Sequence, residues 1–277
     1  MSWSLTFTPE KAEKQRPVRL GSAATVSEAG TFSAERNPFS VRYVQPGAVP
    51  FFFEPSFIEM LQRKEPGRFE DYFIQSVLLG QEAATWIGSQ FLADRFQRAG
   101  FRAQIAGPHG SGKSTLMNAL SQALQERGLL LFSTALHDRQ RSLPAELRAE
   151  LEAFLRTPAA EETPNGEGAA ICRKKIVFLD GFEQLSPMNR FLFRSFCRSH
   201  NLGFLLSSHT PVFGLSVLMR TVPSIDSLSR VIDYLLDDSP FSPTRGEIKE
   251  LYLRNRGNFR SILFDLYDRY EESGLDR

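Results

Sequence analysis

Read along its 277 residues, the chain changes hydrophobic rhythm twice, near residue 100 and near residue 225. Between those points, short apolar runs alternate with stretches whose apolar residues recur every three or four positions. FRAQIAG, with Phe101, Ala103, Ile105 and Ala106, is a strand pattern; Leu116, Leu120, Ala123 and Leu124 then follow helical spacing as far as Gly128, a helix stop. LLLFSTA (129–135) predicts a second strand. Residues 143–156 predict a helix with Pro144 in its first turn and Leu147, Leu151, Phe154 and Leu155 on one side. KIVFLD (175–180) predicts a third strand, and 186–203 a helix capped by Ser186 with Pro187 at its first position. FLLSSH (204–209) and LMRTVPS (218–224) predict a fourth and a fifth strand. Such alternation predicts an α/β fold with a parallel sheet and helices on both faces.

Beyond 225 the strand patterns stop. SIDSLSRVIDYLL reads as a helix, Thr244 and Glu247 form a capping-box signal for a second over 245–256, and Gly257 ends it. Asn258 caps a third helix, FRSILFDLYDRYEE. This predicts a small helical C-terminal subdomain over 225–277. Upstream, residues 56–99 predict two helical pieces around Pro66-Gly67, with Phe73, Val77, Ala84, Ile87, Phe91 and Phe96 as apolar positions. In residues 36–54, Pro38, Pro46 and Pro50 forbid a long helix while the aromatics call for burial, so the expectation is a segment that packs along the surface of the following domain near its base pocket or an ordinary packed N-terminal arm. Residues 1–33 are polar without sustained period and predict a mobile tail; residues 157–170 have the composition of a flexible surface loop. The expected division is 1–33 tail, 34–99 arm and helices, 100–224 core, and 225–277 helical subdomain.

Composition narrows this picture. A hydrophobic share of 42% and 24 Phe suffice for a substantial core. The formal net charge of +1 gives no broad drive toward nucleic acid or an anionic membrane. Two cysteines, Cys172 and Cys197, do not indicate a disulfide framework, and without metal-ligand spacing around them they are expected to pack. No apolar run approaches a membrane span and the N-terminus lacks a signal-peptide core, so a cytoplasmic location is expected.

The chemistry is concentrated in IAGPHGSGKSTL (105–116). Gly107, four residues, then Gly112-Lys113-Ser114 is the spacing G-x-x-x-x-G-K-[ST] of a phosphate-binding loop. A loop around a polyphosphate must aim backbone N–H groups inward, and Gly107, Gly110 and Gly112 permit that. The stretch Gly107, Pro108, His109, Gly110, Ser111, Gly112, Lys113, Ser114 and Thr115 is therefore the expected nucleotide-binding segment. Lys113 would reach the β- and γ-phosphates, Ser114 would place its hydroxyl on Mg²⁺, and the helix start would face the anion. His109 is expected exposed, with no chemistry assigned. Asp180 closes an apolar strand and is expected to orient the same Mg²⁺ through water, since Mg²⁺ keeps part of its hydration shell.

From about 100 to 272 the chain resembles the additional-strand, catalytic-glutamate branch of P-loop NTPases, and within it the AAA+ and related signalling ATPases. The matching stretches are GPHGSGKST, IVFLD, FLLSSHTP and RNRGNFRSILFDLYD. The NPF arm also resembles the lead-in of bacterial secretion-type and transposition-type ATPases. The resemblance implies a P-loop NTPase core with a parallel sheet sandwiched by helices, followed by a helical lid. It departs at Asp180-Gly181, where the branch has Asp-Glu with the Glu polarising water. Glu183, three positions past the Asp, either swings back toward the γ-phosphate or sits on the surface. Ser208 and His209 stand where a γ-phosphate sensor is expected, and Arg260 where a lid arginine is. Arg220 is a candidate arginine finger. ABC-type ATPases carry a histidine similarly, but no LSGGQ occurs.

No N/T-K-x-D motif follows the fourth strand, so ATP is favoured over GTP. The expected function is a slow or partner-regulated ATP–Mg²⁺-dependent switch, with an unknown protein partner or self-association. A small-molecule kinase and a non-hydrolysing ATP-binding scaffold stay open. The kinase reading is lowered by a single arginine in TPVFGLSVLMRTVPS.

Overall fold

In the computed structural model the described residues are 37–39, 49–78, 83–137, 140–158, 160–161, 171–236 and 239–273. The tail expected over 1–33 and most of the loop expected over 157–170 lie outside them. Among the described residues three helices precede the first strand: α1 (Pro55–Lys64), α2 (Pro66–Leu78) and α3 (Ala83–Arg98). Pro66 opens α2, as the predicted break requires, but a further break after Leu78 makes three helices of the expected two pieces. Phe73 and Val77 are exposed, whereas Ile87 and Phe96 are buried. Periodicity read across the break joined the outer face of one helix to the inner face of the next.

There follow β1 (Arg102–Ala106), α4 (Lys113–Glu126), β2 (Leu130–Ala135), α5 (Ala145–Arg156), a short ribbon of β3 (Ala160–Glu161) and β4 (Ile171–Cys172), and β5 (Lys175–Asp180). After a 3-10 turn (Phe182–Gln184) come α6 (Pro187–Ser199), β6 (Gly203–Ser208), β7 (Ser216–Arg220), α7 (Ile225–Leu235), α8 (Arg245–Arg254) and α9 (Phe259–Glu272). The main sheet has five strands in the order β2-β5-β6-β1-β7, every neighbouring pair parallel. The protein is thus an α/β fold with a parallel sheet flanked by helices, the class expected. Strand β6 stands between β1 and β5, so the strand feeding the glycine-rich loop and the strand ending in Asp180 are not neighbours.

Strand alternation sends successive side chains to opposite faces. Ala103, Ile105, Ile176, Phe178 and Leu205 join a core with Leu92, Phe96, Leu116, Leu120 and Leu124 of α3 and α4. Val177, Leu179, Phe204 and Leu206 join a second core with Leu151 of α5 and Phe193 and Cys197 of α6. Burial pushes the Cys197 thiol up to about 12, so it packs as an apolar group; the side chain of Cys172 lies outside the described residues.

Helices α7 to α9 share a third core of Leu228, Ile232, Ile248, Leu251, Ile262, Leu263, Leu266 and Tyr270, into which Phe39 of the arm inserts. Asn37 Nδ2 donates to Tyr267 O at 3.0 Å and to Glu271 Oε1 at 2.8 Å, fastening the arm to α9. The predicted caps form: Ser186 accepts from Asn189 N, Thr244 and Glu247 make the reciprocal box, and Asn258 accepts from Ser261 N. Each such cap contributes about 1 kcal/mol to its helix. Among the described residues, no helix is long and apolar enough to cross a membrane.

Candidate functional site

The strand alternation that builds the two cores also selects which side chains meet at the C-terminal edge of the sheet. Ile176, Phe178 and then Asp180 face α4, as do Leu205 and then Ser207. The loop after β1 ends in α4, whose second residue is Ser114. The three polar groups converge: Ser114 Oγ donates to Asp180 Oδ2, and Ser207 Oγ donates to Asp180 Oδ1. Ser207 Oγ in turn accepts the Gly181 N–H at 2.9 Å, so the hydroxyl is oriented from both sides.

Within the loop, Gly110 and Gly112 have φ of 66° and 81°, a region costly for side-chain-bearing residues. Gly107 does not share that conformation. A Cβ there would overlap Thr221, whose hydroxyl bonds Ser111 Oγ at 2.6 Å. Gly107 is needed for close approach of the β7 end. Lys113 Nζ folds back over the loop and donates to the carbonyls of Gly107 at 2.9 Å and Pro108 at 2.7 Å. Burial draws the Lys113 amine below its usual range, opposed by the nearby Glu183 and Asp180 carboxylates. Thr115 is half-buried in the first turn of α4, and Pro108 and His109 are exposed.

On the other side of the site, Gly181 enters the 3-10 turn with φ of 77°, and Phe182 anchors that turn in the core. Glu183 is thereby brought beside β6: its Oε1 lies 2.9 Å from His209 Nε2. Its other oxygen, Oε2, is buried with no hydrogen-bond partner among the described residues. The Glu183 backbone carbonyl accepts from Arg190 at 2.5 Å, which fixes the turn against α6. Burial draws the His209 imidazole below its usual range, against the pull of the Glu183 carboxylate, and the neighbouring His109 and Lys113 add to the lowering. At neutral pH the contact is therefore a neutral imidazole donating Nε2–H to a carboxylate. His109, exposed as expected, packs against His209 with the rings tilted at 58° and their centroids 3.6 Å apart.

The expected residues do not all gather. Ser114, Asp180, Glu183, Lys113 and His209 do. Ser208 does not: it faces the opposite side of β6, donating to Thr210 O at 2.8 Å, and its neighbour is the buried Gln104. Ser207, two residues before His209 on the same face, takes the place beside Asp180. Period-2 alternation in SSH carries that signal, since adjacent strand residues cannot share a face. Arg260 is exposed in the first turn of α9, but that helix start docks on the loop: Phe259 N donates to Gly110 O at 3.2 Å. Asp265 pairs with Arg254 at 2.6 Å rather than with Arg260. Arg220 is exposed at the end of β7, opposite Ala106 in register. Phe51 of the arm packs beside Gly112, and Glu54 accepts from Ser224 at 2.7 Å at the start of α7.

No family model matches the chain, and no curated protein does. Among the solved structures that match is one described as a DNA replication initiation factor, 16% identical, with a TM-score of 0.41. The match covers 66% of this chain and 63% of that one, so the chain spans less than two thirds of that protein's length. The fold described above rests on the sheet order and packing of this chain.

Proposed function

We propose that the chain binds ATP with Mg²⁺ on the loop from Gly107 to Thr115 and works as a slow or partner-regulated, AAA+-like nucleotide-dependent switch. The observation that carries this reading is the meeting of the Ser114 hydroxyl with the Asp180 carboxylate beside the Lys113 amine. A hydroxyl and a carboxylate are hard oxygen donors that fit Mg²⁺, which keeps part of its water shell. Ser114 and Asp180 would hold the ion, and Ser207 would keep Asp180 oriented. When bound, Mg²⁺ supplies charge neutralisation at the β- and γ-phosphates.

The remaining steps belong to the chain. Lys113 exchanges its two loop carbonyls for phosphate oxygens. The loop N–H groups and the α4 N-terminus face the anion. Glu183, with one oxygen held by His209 and the other buried and unpartnered, is the residue suited to orient water and accept its proton. Gly181 has no side chain for that task. Arg260 brings positive charge from α9, and the bond from Phe259 to Gly110 links the loop to α7–α9, which act as the lid. Ligand-dependent change at the loop would then alter the surface that the lid shows a partner.

The test is Mg²⁺-ATP binding and single-turnover hydrolysis by the parent, Lys113→Ala and Glu183→Gln. The reading expects binding by the parent and by Glu183→Gln, binding weakened at least about tenfold in Lys113→Ala, and turnover by the parent alone. Binding without turnover in any variant supports the non-hydrolysing scaffold. ADP release only with a small-molecule acceptor supports the kinase. Absence of binding by the parent sinks the nucleotide reading.

A further inference from the structure

Two exposed faces of this chain complement one another. On α2, Phe73, Ile74, Val77 and Leu78 are exposed, Leu78 by 79%. They lie on one side, since residues three and four apart share a helix face. One turn toward the N-terminus on that side stand Glu70 and Asp71, exposed and without ion-pair partners among the described residues. The one arginine of α2, Arg68, is turned to Glu65 and Asp94 at 3.2 and 2.8 Å, which leaves the outer face acidic.

Helix α6 has the opposite character. Met188, Phe191 and Leu192 form an exposed apolar stripe in its N-terminal half, and Arg194 and Arg198 follow in its C-terminal half. The helix contains no acidic residue. Arg194 Nη1 donates to Phe213 O at 3.3 Å, while its Nε is buried without a partner. Phe213 is 97% exposed, on a loop that the buried Gln104 holds in place. The Gln104 side chain donates to Val212 O at 2.8 Å and Leu215 O at 3.0 Å and accepts from Val212 N at 2.6 Å. Phe213 is therefore presented on a fixed loop, the kind of pre-organised aromatic anchor that interfaces use.

The spacing agrees as well as the sign. At 1.5 Å of rise per residue, the apolar and charged centres are about 8 Å apart on each helix. They run in opposite order: acid then apolar on α2, apolar then base on α6. We propose that these faces are the two halves of a self-contact, in which α2 of one copy lies antiparallel on α6 of the next. Apolar meets apolar and carboxylate meets guanidinium only in that direction. Such a contact is heterologous, so each added copy offers a new pair of faces unless the rotation closes a ring. This inference does not depend on the nucleotide reading, and its test uses no nucleotide.

The test is sedimentation of the full chain over a range of concentrations and salt. The parent should gain average mass with concentration and lose it with added salt. Glu70→Lys/Asp71→Lys and Arg194→Glu/Arg198→Glu should each raise the concentration needed by at least about tenfold, because like charges then face each other. Mixed together, the two variants should assemble again, since the first offers only basic faces and the second only acidic ones. Leu78→Ser and Phe191→Ser, at exposed sites where folding is not at stake, should weaken the same contact. Melting curves matching the parent's show that the variants are folded. The proposal fails if the parent stays monomeric, if neither charge variant changes its assembly, or if the mixture does not recover. Capture of a different acidic or basic protein by a monomeric parent would likewise overturn it.

Discussion

The two sides of the candidate site are built by different means. On the loop side, Lys113 and Ser114 are placed by a local run of backbone from β1 through three glycines into α4. Lys113 finds its partners five and six residues away, at Pro108 and Gly107. On the strand-end side, Glu183 and His209 come from different elements and meet only because β5 and β6 are neighbours in the sheet. Asp180 joins the sides, taking one hydrogen bond from Ser114 and one from Ser207. A local motif gives binding geometry at short sequence range; placing a base needs the tertiary fold. The consequence is that binding and turnover should separate by mutation.

The largest effect belongs to the loop. On the proposed reading, Lys113→Ala removes the loop ammonium that would turn to the phosphates. Charge-assisted hydrogen bonds contribute about 1.5–3 kcal/mol each, so affinity for Mg²⁺-ATP should fall at least about tenfold. Titration calorimetry checks this, and unchanged affinity would mean that the amine stays on the Gly107 and Pro108 carbonyls in the bound state. Next comes Glu183→Gln, which keeps the shape and removes the proposed base. Single-turnover hydrolysis should drop about 100-fold while affinity changes little. If rate and affinity fall together, the two sides are not separable and the comparison is broken.

A third test uses adjacent residues of one strand. Ser207→Ala takes a hydrogen bond from Asp180 and should weaken Mg²⁺ dependence about tenfold, as loss of a group orienting a ligand does. Ser208→Ala should leave that dependence alone and cost about 1 kcal/mol of stability through its lost bond to Thr210. Measured side by side, the pair separates a site role from a packing role over a single residue step.

That pair also shows what the sequence made legible. The first four strands, the core helix patterns, the caps at Ser186, Thr244 and Asn258 and the loop itself are local signals, and they appear where the pattern puts them; the fifth strand, expected over 218–224, runs instead over Ser216–Arg220. Ser207 was legible in principle, because alternation places it on the His209 face, but SSH read as a unit hides this. The three-helix division of 55–98 was not legible, because the exposed Phe73 and Val77 continue an apolar rhythm that burial does not follow. Nor was the insertion of Phe39 among α7–α9, some two hundred residues later in the chain, or the contact of His109 with His209. Both depend on how distant elements pack, which periodicity does not carry.

The smallest effect is a pH dependence confined to the strand-end side. Burial holds the His209 imidazole below its usual range, and the groups facing it are Glu183, His109, Lys113 and Asp180. The unfolded chain takes a proton near the ordinary value of about 6.5. As pH falls below that, the unfolded state binds the proton before the folded state does, so stability declines with acidity and is fully present above it. His209→Gln removes this titration while retaining a group able to donate to Glu183. Urea unfolding at pH 7.5 and 5.5 should show a larger loss of midpoint in the parent than in the variant. Equal losses would mean that protonation of His209 is compensated in the folded state by Glu183, and that the carboxylate is committed to the histidine rather than available to water. That outcome would move the base away from Glu183 without touching the loop, where Lys113, Ser114 and Asp180 would still account for binding.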